Sequence, residues 1–222
     1  MTKSVKLSSL LLLFLLLSTY YPTYKIGNTN FIFTIRNIKV ENNNILDSNE
    51  ILKELDNLKG KSLFSLDKEI IKSAMNKFDF VSSFEVKKIY PTTIKLKIFE
   101  KKPVAIYVEK ENKFYISEKG DLIEYIELEN YSDLPLLFGK SKNFNNFFED
   151  LKNINFPVSD IKSFYNFEIG RWDITLNDGK VIKLPKENYV AMLKNFLSIK
   201  KDNSFDDYKI FDYRIKDQLI LN

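Results

Sequence analysis

The chain contains neither cysteine nor histidine among its 222 residues. Without cysteine there is no disulfide, no thiol nucleophile and no thiolate metal site. Without histidine the commonest general base and the commonest metal ligand are both missing, so Ser-His-Asp chemistry and ordinary zinc sites are excluded. A dense basic block is also lacking. Lysine and arginine number 34 against 30 acidic residues, a net charge of +4, with the two signs interspersed. That balance argues for solubility rather than a nucleic-acid partner, and no DNA- or RNA-binding motif appears. Tryptophan occurs once, at Trp172.

Long apolar runs are scarce too, and the single one lies at the start. Residues 1–6 form a short basic tip with Lys3 and Lys6, and residues 7–24 carry no charge. As a helix at ~1.5 Å per residue, this segment would be about 27 Å long, close to the ~30 Å hydrocarbon core of a bilayer. Tyr20, Tyr21 and Tyr24 suit the aromatic belt at the far interface. A cleaved signal peptide would share the positive tip and leucine-rich centre. However, the exit reads Ser18-Thr19-Tyr20-Tyr21-Pro22, which offers no small-x-small cleavage site, so an uncleaved single transmembrane helix is expected. The positive-inside rule barely votes, because Lys25, Arg36 and Lys39 nearly balance Lys3, Lys6 and the amino terminus. Residues 25–32 read as a polar linker.

The stretch from 33 to 102 reads strand, helix, helix, strand, strand. Phe33, Ile35, Ile38 and Val40 make a short strand whose period slips at Arg36-Asn37, and Asn42-Asn43-Asn44 breaks it. Asp47 followed by Glu50 has the form of a capping box. Ile51, Leu52, Leu55 and Leu58 then recur at helical spacing until Gly60. Ile70, Ile71, Ala74, Met75 and Phe78 define a second helix from about Asp67. Two period-two runs follow, with Phe84, Val86 and Tyr90 on one face of the first and Ile94, Leu96 and Ile98 on one face of the second. Pro91-Thr92 turns between them. This pattern predicts a two-layer module with helices on one side of a small sheet, whose other face carries Lys95 and Lys97.

From 103 to 222 the character changes to many short strands. Strands are predicted at 104–108, 114–117, 122–123, 134–139, 161–169, 172–176, 181–184, 208–214 and 218–221, with tight turns at 118–121 and 177–179. Helices are predicted at 143–151 and 187–198, the latter with Val190, Leu193 and Leu197 inward. The fold class is therefore α+β: the N-terminal helix, the βααββ module, and a mostly antiparallel β domain with a helix before its terminal strands.

No motif points to catalysis. Gly60-Lys61-Ser62 has the ending of a phosphate-binding loop, but the first glycine of that loop would fall at Leu55 and no strand precedes it. Asp121, Glu124, Glu127 and Glu129 form an acidic run that reads as a solvated turn. No cofactor or metal site is expected. The terminal strands carry two readings. Arg214, Lys216 and Asp217 could simply blunt a sheet edge, or the edge could accept a partner strand through main-chain hydrogen bonds.

The order βααββ, the run Gly60–Asp67, and the string 78–107 with its Val81, Pro91, Ile94, Glu100 and Pro103-Val104-Ala105 resemble the POTRA module of the FtsQ/DivIB family of bacterial cell-division proteins. The second half is also similar to that family, through the 114–123 hairpin, the Leu134-Pro135…Gly139 element, the 171–185 segment, the 187–198 helix and the closing Asp212-Tyr213-Arg214. Ser117 stands where the family hairpin usually has Asp, Tyr213 stands where it usually has Leu, and only a minimal tail follows the last strand, which would remove any contact a tail makes. The resemblance implies a single-pass inner-membrane protein with residues 1–6 cytoplasmic and its later domains periplasmic. It also implies a divisome scaffold at the septum without catalysis. That scaffold would bind FtsB- and FtsL-like bitopic proteins and help control septal peptidoglycan synthesis, and its POTRA domain would contact other divisome members. Carried onto this chain, the partner-binding strand is Tyr213, Arg214, Ile215, Lys216, Gln218, Leu219, Ile220 and Leu221, with Trp172 as a further candidate although a strand tryptophan is commonly core. Two other readings stand beside this one. A POTRA-bearing envelope chaperone would need a membrane β-barrel after the module, and the strands after Pro103 lack sustained lipid-facing alternation. A carboxylate hydrolase would need paired acids in a cleft, which the sequence does not specify.

Overall fold

The computed structural model describes residues 3–18 and 33–222. Helix α1 covers Lys3–Ser18. Among the described residues no helix is long and apolar enough to cross a membrane. Of the expected span 7–24, residues 7–18 lie in α1, and 19–24, like the linker 25–32, lie outside the described residues. The remainder divides into two compact units, one running to Lys77 and including Ser83–Ile98, the other comprising Phe78–Ser82 and Phe99–Asn222.

In the first unit, strand β1 (Asn37–Glu41) is followed by α2 (Ser48–Glu54), α3 (Lys68–Met75), β2 (Val81–Ile89) and β3 (Thr93–Glu100). The sheet order is β1-β3-β2, with β1 parallel to β3 and Val40 opposite Leu96. Asp47 caps α2 by accepting from the Asn49 N–H at 2.9 Å, and Asp67 caps α3 by accepting from the Glu69 N–H at 2.9 Å. Each carboxylate satisfies a donor that the first helical turn would otherwise leave unpaired. Ile51, Leu55, Leu58, Ile71, Ala74 and Met75 are buried together with Ile94, Leu96 and Ile98 of the central strand. Its opposite face is wet, and Lys95 pairs there with Glu41 at 2.7 Å. The first strand begins later than its apolar pattern suggests. Arg36 and Asn37 both donate to Thr92 O, at 2.9 and 3.2 Å. Upstream of them, Thr34 bridges Ser62, and Phe33 O accepts from the Leu63 N–H at 2.7 Å. The slip at Arg36-Asn37 is thus where the backbone changes partner.

The second unit is built on one nine-stranded sheet. Its strands are β4 (Pro103–Glu109), β5 (Asn112–Ser117), β6 (Leu122–Glu124), β7 (Leu136–Gly139), β8 (Ile161–Asn166), β9 (Trp172–Leu176), β10 (Val181–Lys183), β11 (Ile210–Asp212) and β12 (Ile220–Leu221). Helix α4 (Phe144–Asn153) lies between β7 and β8 in the chain, and α5 (Tyr189–Ile199) between β10 and β11. The order across the sheet is β12-β11-β10-β9-β8-β7-β4-β5-β6. Neighbours are antiparallel except β4–β7, β7–β8 and β10–β11, which are parallel. Two of those three parallel pairs, β7–β8 and β10–β11, have a helix in the connection, the usual form of such a crossover.

One sheet face buries Ala105, Tyr107, Ile116, Leu137, Phe164, Ile174, Ile182 and Phe211 against α4 and α5. The core is rich in rings: Phe147 stacks on Trp172 with centroids 4.3 Å apart and planes 8° apart. The strand–turn hairpin keeps its geometry with Ser117 in place of an acid, because the buried Ser117 hydroxyl accepts from the Lys119 and Asp121 N–H groups at 3.2 and 3.1 Å. Gly139 is required at the end of β7. Its φ is +85°, and a Cβ there would lie 2.0 Å from Asn166 O. The segment Phe78–Ser82 groups with this unit: Phe80 O accepts from the Lys101 N–H at 2.7 Å, and the Phe80 ring meets Tyr115.

Candidate functional site

The final strand closes the sheet on one side and leaves the other side open. Asn222 exchanges both backbone hydrogen bonds with Ile210, donating at 3.2 Å and accepting at 2.8 Å. In an antiparallel ladder such bonded pairs alternate with non-bonded ones, so Asp212 and Ile220, opposite each other, form the next bonded pair. The Leu221 N–H and C=O, lying between, are directed away from β11. Among the described residues no strand pairs with that side of β12. This is a short free edge of the kind that accepts an added strand.

The side chains divide by the two-residue period. Leu219 and Leu221 are half-buried and pack against the aromatic core, whereas Ile220 is exposed. Ile220 opposes Asp212, Asp212 opposes Lys183, and Lys183 opposes Asp173. The outer face therefore carries a row of alternating charge that ends in one exposed isoleucine at the edge. Asp212 is buried and accepts from Arg214 Nε at 2.8 and 3.0 Å and from the Arg214 N–H at 3.0 Å. The Arg214 hydrogen bonds hold its carboxyl below the usual carboxylate range. Asp173 is different. Burial pushes its carboxyl up, against the pull of Arg171, Arg214 and Lys183. Arg171 sits 3.5 Å from it, and the guanidinium also covers the Phe167 ring at 3.9 Å.

Two tyrosines lock helix α5 beneath this edge. Tyr213 is buried, and its hydroxyl donates to Asn195 Oδ1 at 2.9 Å; burial raises it to about 12. Tyr189 donates to Asp150 of α4, and burial pushes its hydroxyl well up. The inward face of α5 includes the expected Leu193 and Leu197 and is centred on Leu193 and Phe196. Leu193 and Phe196 are fully buried, while Val190 and Leu197 are only partly so. The i to i+3 step from Leu193 to Phe196 places the larger ring over Phe211, with centroids 5.0 Å apart.

The structure brings the expected edge residues together but assigns them different work. Arg214, Ile215, Lys216, Gln218 and Ile220 are exposed around the edge, and Leu219 and Leu221 are half-exposed. Tyr213 is buried and supports the edge from beneath. Trp172 leaves the surface set: it is 4% exposed and stacked in the core on β9, so its ring cannot meet a partner without unfolding the layer. The acidic run 121–129 is spread along an exposed segment, with Asp121 engaged by Ser117. Asp173 and Lys183 went unremarked in the sequence because their signal is cross-strand register, which chain order hides.

Residues 33–101 match the family model of the POTRA domain, FtsQ-type, and residues 105–214 match that of the cell division protein FtsQ/DivIB C-terminal region. The chain is 28% identical over 205 residues to the cell division protein FtsQ of Rickettsia typhi, covering 90% of this chain and 75% of that one. It is 28% identical over 203 residues to that of Rickettsia bellii, covering 90% and 74%. To that of Rhizobium meliloti it is 24% identical over 190 residues, covering 84% and 62%.

Proposed function

The chain belongs to the FtsQ/DivIB family of cell division proteins, as a scaffold with no catalysis of its own, and from that premise we propose that it works by accepting a partner strand at β12. The open side of Leu221 carries this reading. An extended segment of an FtsB-like bitopic protein, held with its FtsL-like partner, pairs with the Leu221 N–H and C=O. Ile220 and Ile215 flank it on the exposed surface, and Lys216 favours an acidic position in it. Residues 7–24 anchor the chain in the inner membrane with its amino terminus cytoplasmic and its folded units periplasmic. The uncovered apolar side chains at 10–17 support that anchoring. Anchoring confines chain and partners to one surface, so modest contacts sum through effective concentration. The first unit supplies contacts to other divisome members. The envelope-chaperone alternative gains nothing from the relatives, which carry the name of a cell division protein.

The test is capture of the FtsB–FtsL periplasmic segments by the full chain and by Leu221→Pro. Proline at 221 deletes the outward N–H and leaves the bonded Ile220 and Asn222 pairs in place. Loss of capture by a variant of unchanged thermal stability is the expected result. Equal capture by both moves the docking site off this edge. Ile220→Pro is the destabilising control, because that N–H faces β11.

A further inference from the structure

We infer that the first unit carries a membrane-docking corner, made by Phe33, Phe64 and Tyr90 with their flanking basic residues, that rests on an anionic phospholipid interface. This inference rests on the anchoring proposed above and goes further, by assigning the folded unit its own contact with the bilayer.

Three chain segments far apart in sequence bring their rings to one place. Phe33 meets Phe64 edge-on at 4.6 Å and Tyr90 at 5.8 Å, and Phe64 lies 5.5 Å from Tyr90. The contacts hold the rings in place, yet they are not a core: Phe64 is 60% and Tyr90 51% exposed, and the neighbouring Ile89 is exposed as well. Isolated exposed apolar side chains need no explanation, but a clustered aromatic patch does. Aromatic side chains of this kind favour the boundary between headgroups and acyl chains.

Charge selects the occupant. The segments that build the corner, 33–36, 61–66 and 87–93, contain no acidic residue and carry Arg36, Lys61, Lys87 and Lys88. Lys88 is fixed at the patch, its Nζ donating to Phe64 O at 3.2 Å. The absence of acid extends upstream, since the first acidic residue of the chain is Glu41. Everything between the apolar run and the corner is neutral or positive, which complements an anionic leaflet at roughly 1 kcal/mol per basic residue near the surface. Chain length agrees. Ser18 and Phe33 are separated by the 14 residues 19–32, and at ~3.5 Å each they reach at most about 50 Å. The corner contains Phe33 itself, so it is covalently the nearest part of the unit to the bilayer.

The experiment uses the full chain, whose lack of cysteine allows single labelling. Ser65→Cys reports on the corner and Ser9→Cys on the apolar helix, each carrying an environment-sensitive fluorophore. The chain is reconstituted into phosphatidylcholine vesicles with and without phosphatidylglycerol, containing nitroxide-bearing lipid as quencher. The expected result is quenching at both sites, stronger at position 65 with phosphatidylglycerol. It should fall about tenfold in Phe64→Ser/Tyr90→Ser and by a similar factor in Lys61→Ser/Lys88→Ser, with no change at position 9. Quenching at 9 without quenching at 65 overturns the docking and leaves the anchor intact. Absence at both sites overturns the two together. Quenching at 65 that ignores the aromatic substitutions overturns the assignment to this corner.

Discussion

The two edges of the nine-stranded sheet are both short, yet they are finished differently. At the β6 edge, the Glu124 N–H donates to the Asp79 carboxylate at 3.3 Å, and the Tyr115 hydroxyl donates to Ile126 O at 2.9 Å just beyond the strand. These two polar groups are occupied from within the unit. At the β12 edge the last two strand residues are exposed or half-exposed, and the outward backbone of Leu221 meets no strand. Charge blunts this edge without closing it: Arg214 turns back onto Asp212, and the chain reverses through Asp217 at φ +59°. Side chains that bond an edge's backbone guard it, whereas flanking charge blunts an edge and leaves its backbone groups open. Two edges of similar length thus differ in how many of their polar groups the unit itself engages.

The largest expected effect removes a ring from the core beneath the middle of the sheet. Phe147→Ala deletes the ring stacked on Trp172 and should destabilise the second unit by about 3–5 kcal/mol, seen as a lowered melting temperature. Capture of partner should fail with it, because β12 has no rigid β11 to lie against. Next in size are substitutions at the two edges themselves. Leu221→Pro should weaken partner capture about tenfold or more while leaving stability nearly unchanged. Asp79→Ala should do the reverse, costing about 0.5–1.5 kcal/mol of stability and leaving capture intact. If both weaken capture equally, the two edges are not functionally distinct. Smaller still is Tyr213→Phe, which removes the hydroxyl bond to Asn195 and should cost about 1 kcal/mol or less, read by chemical denaturation.

Acidity sharpens the contrast further. The Asp212 carboxyl lies below its ordinary 3.8 in the folded chain, first through its Arg214 hydrogen bonds. Its contribution to stability is therefore complete above 3.8 and is lost as pH falls through the depressed value. Asp173, raised mainly by burial, works in the opposite sense: its protonated form suits the fold, and the cost of ionising it appears as pH rises past 3.8. Hydrogen exchange of the 210–213 amides between pH 5 and 2.5 should show the β12 side loosening on acidification. Arg214→Ala should diminish that pH response. No change in exchange over this range would mean that Asp212 does not brace the edge.

Much of the fold was legible because its signals are local. Ile94, Leu96 and Ile98 alternate with lysines, and that alternation alone marks a strand with one wet face. Asp47 and Asp67 announce helix starts through bonds to residues two positions on. The terminal strands were marked as a candidate site by the family resemblance, since a run such as Leu219-Ile220-Leu221 shows no alternation that would tell an edge strand from a central one. Trp172 was ambiguous from the sequence, since a strand ring looks the same whether it meets a helix of its own chain or another protein. Leu197 looked inward by spacing and does pack half-buried against the core, but the deepest positions of α5 are Leu193 and Phe196, because the Phe196 ring fills the gap over Phe211.

By itself, the sequence determined the chemistry that is impossible here, the apolar run at the amino terminus, the placement of most strands and helices, and the module order that identifies the family. Each depends on residue type or on spacing within a few positions. Only long-range packing decided that β12 and β6 are the two sheet edges, that Asp173, Lys183 and Asp212 form one row, and that Phe33, Phe64 and Tyr90 share a corner. Strand order, register and the meeting of distant segments are set by long-range packing, in which a one-residue slip would exchange the faces of every side chain in a strand.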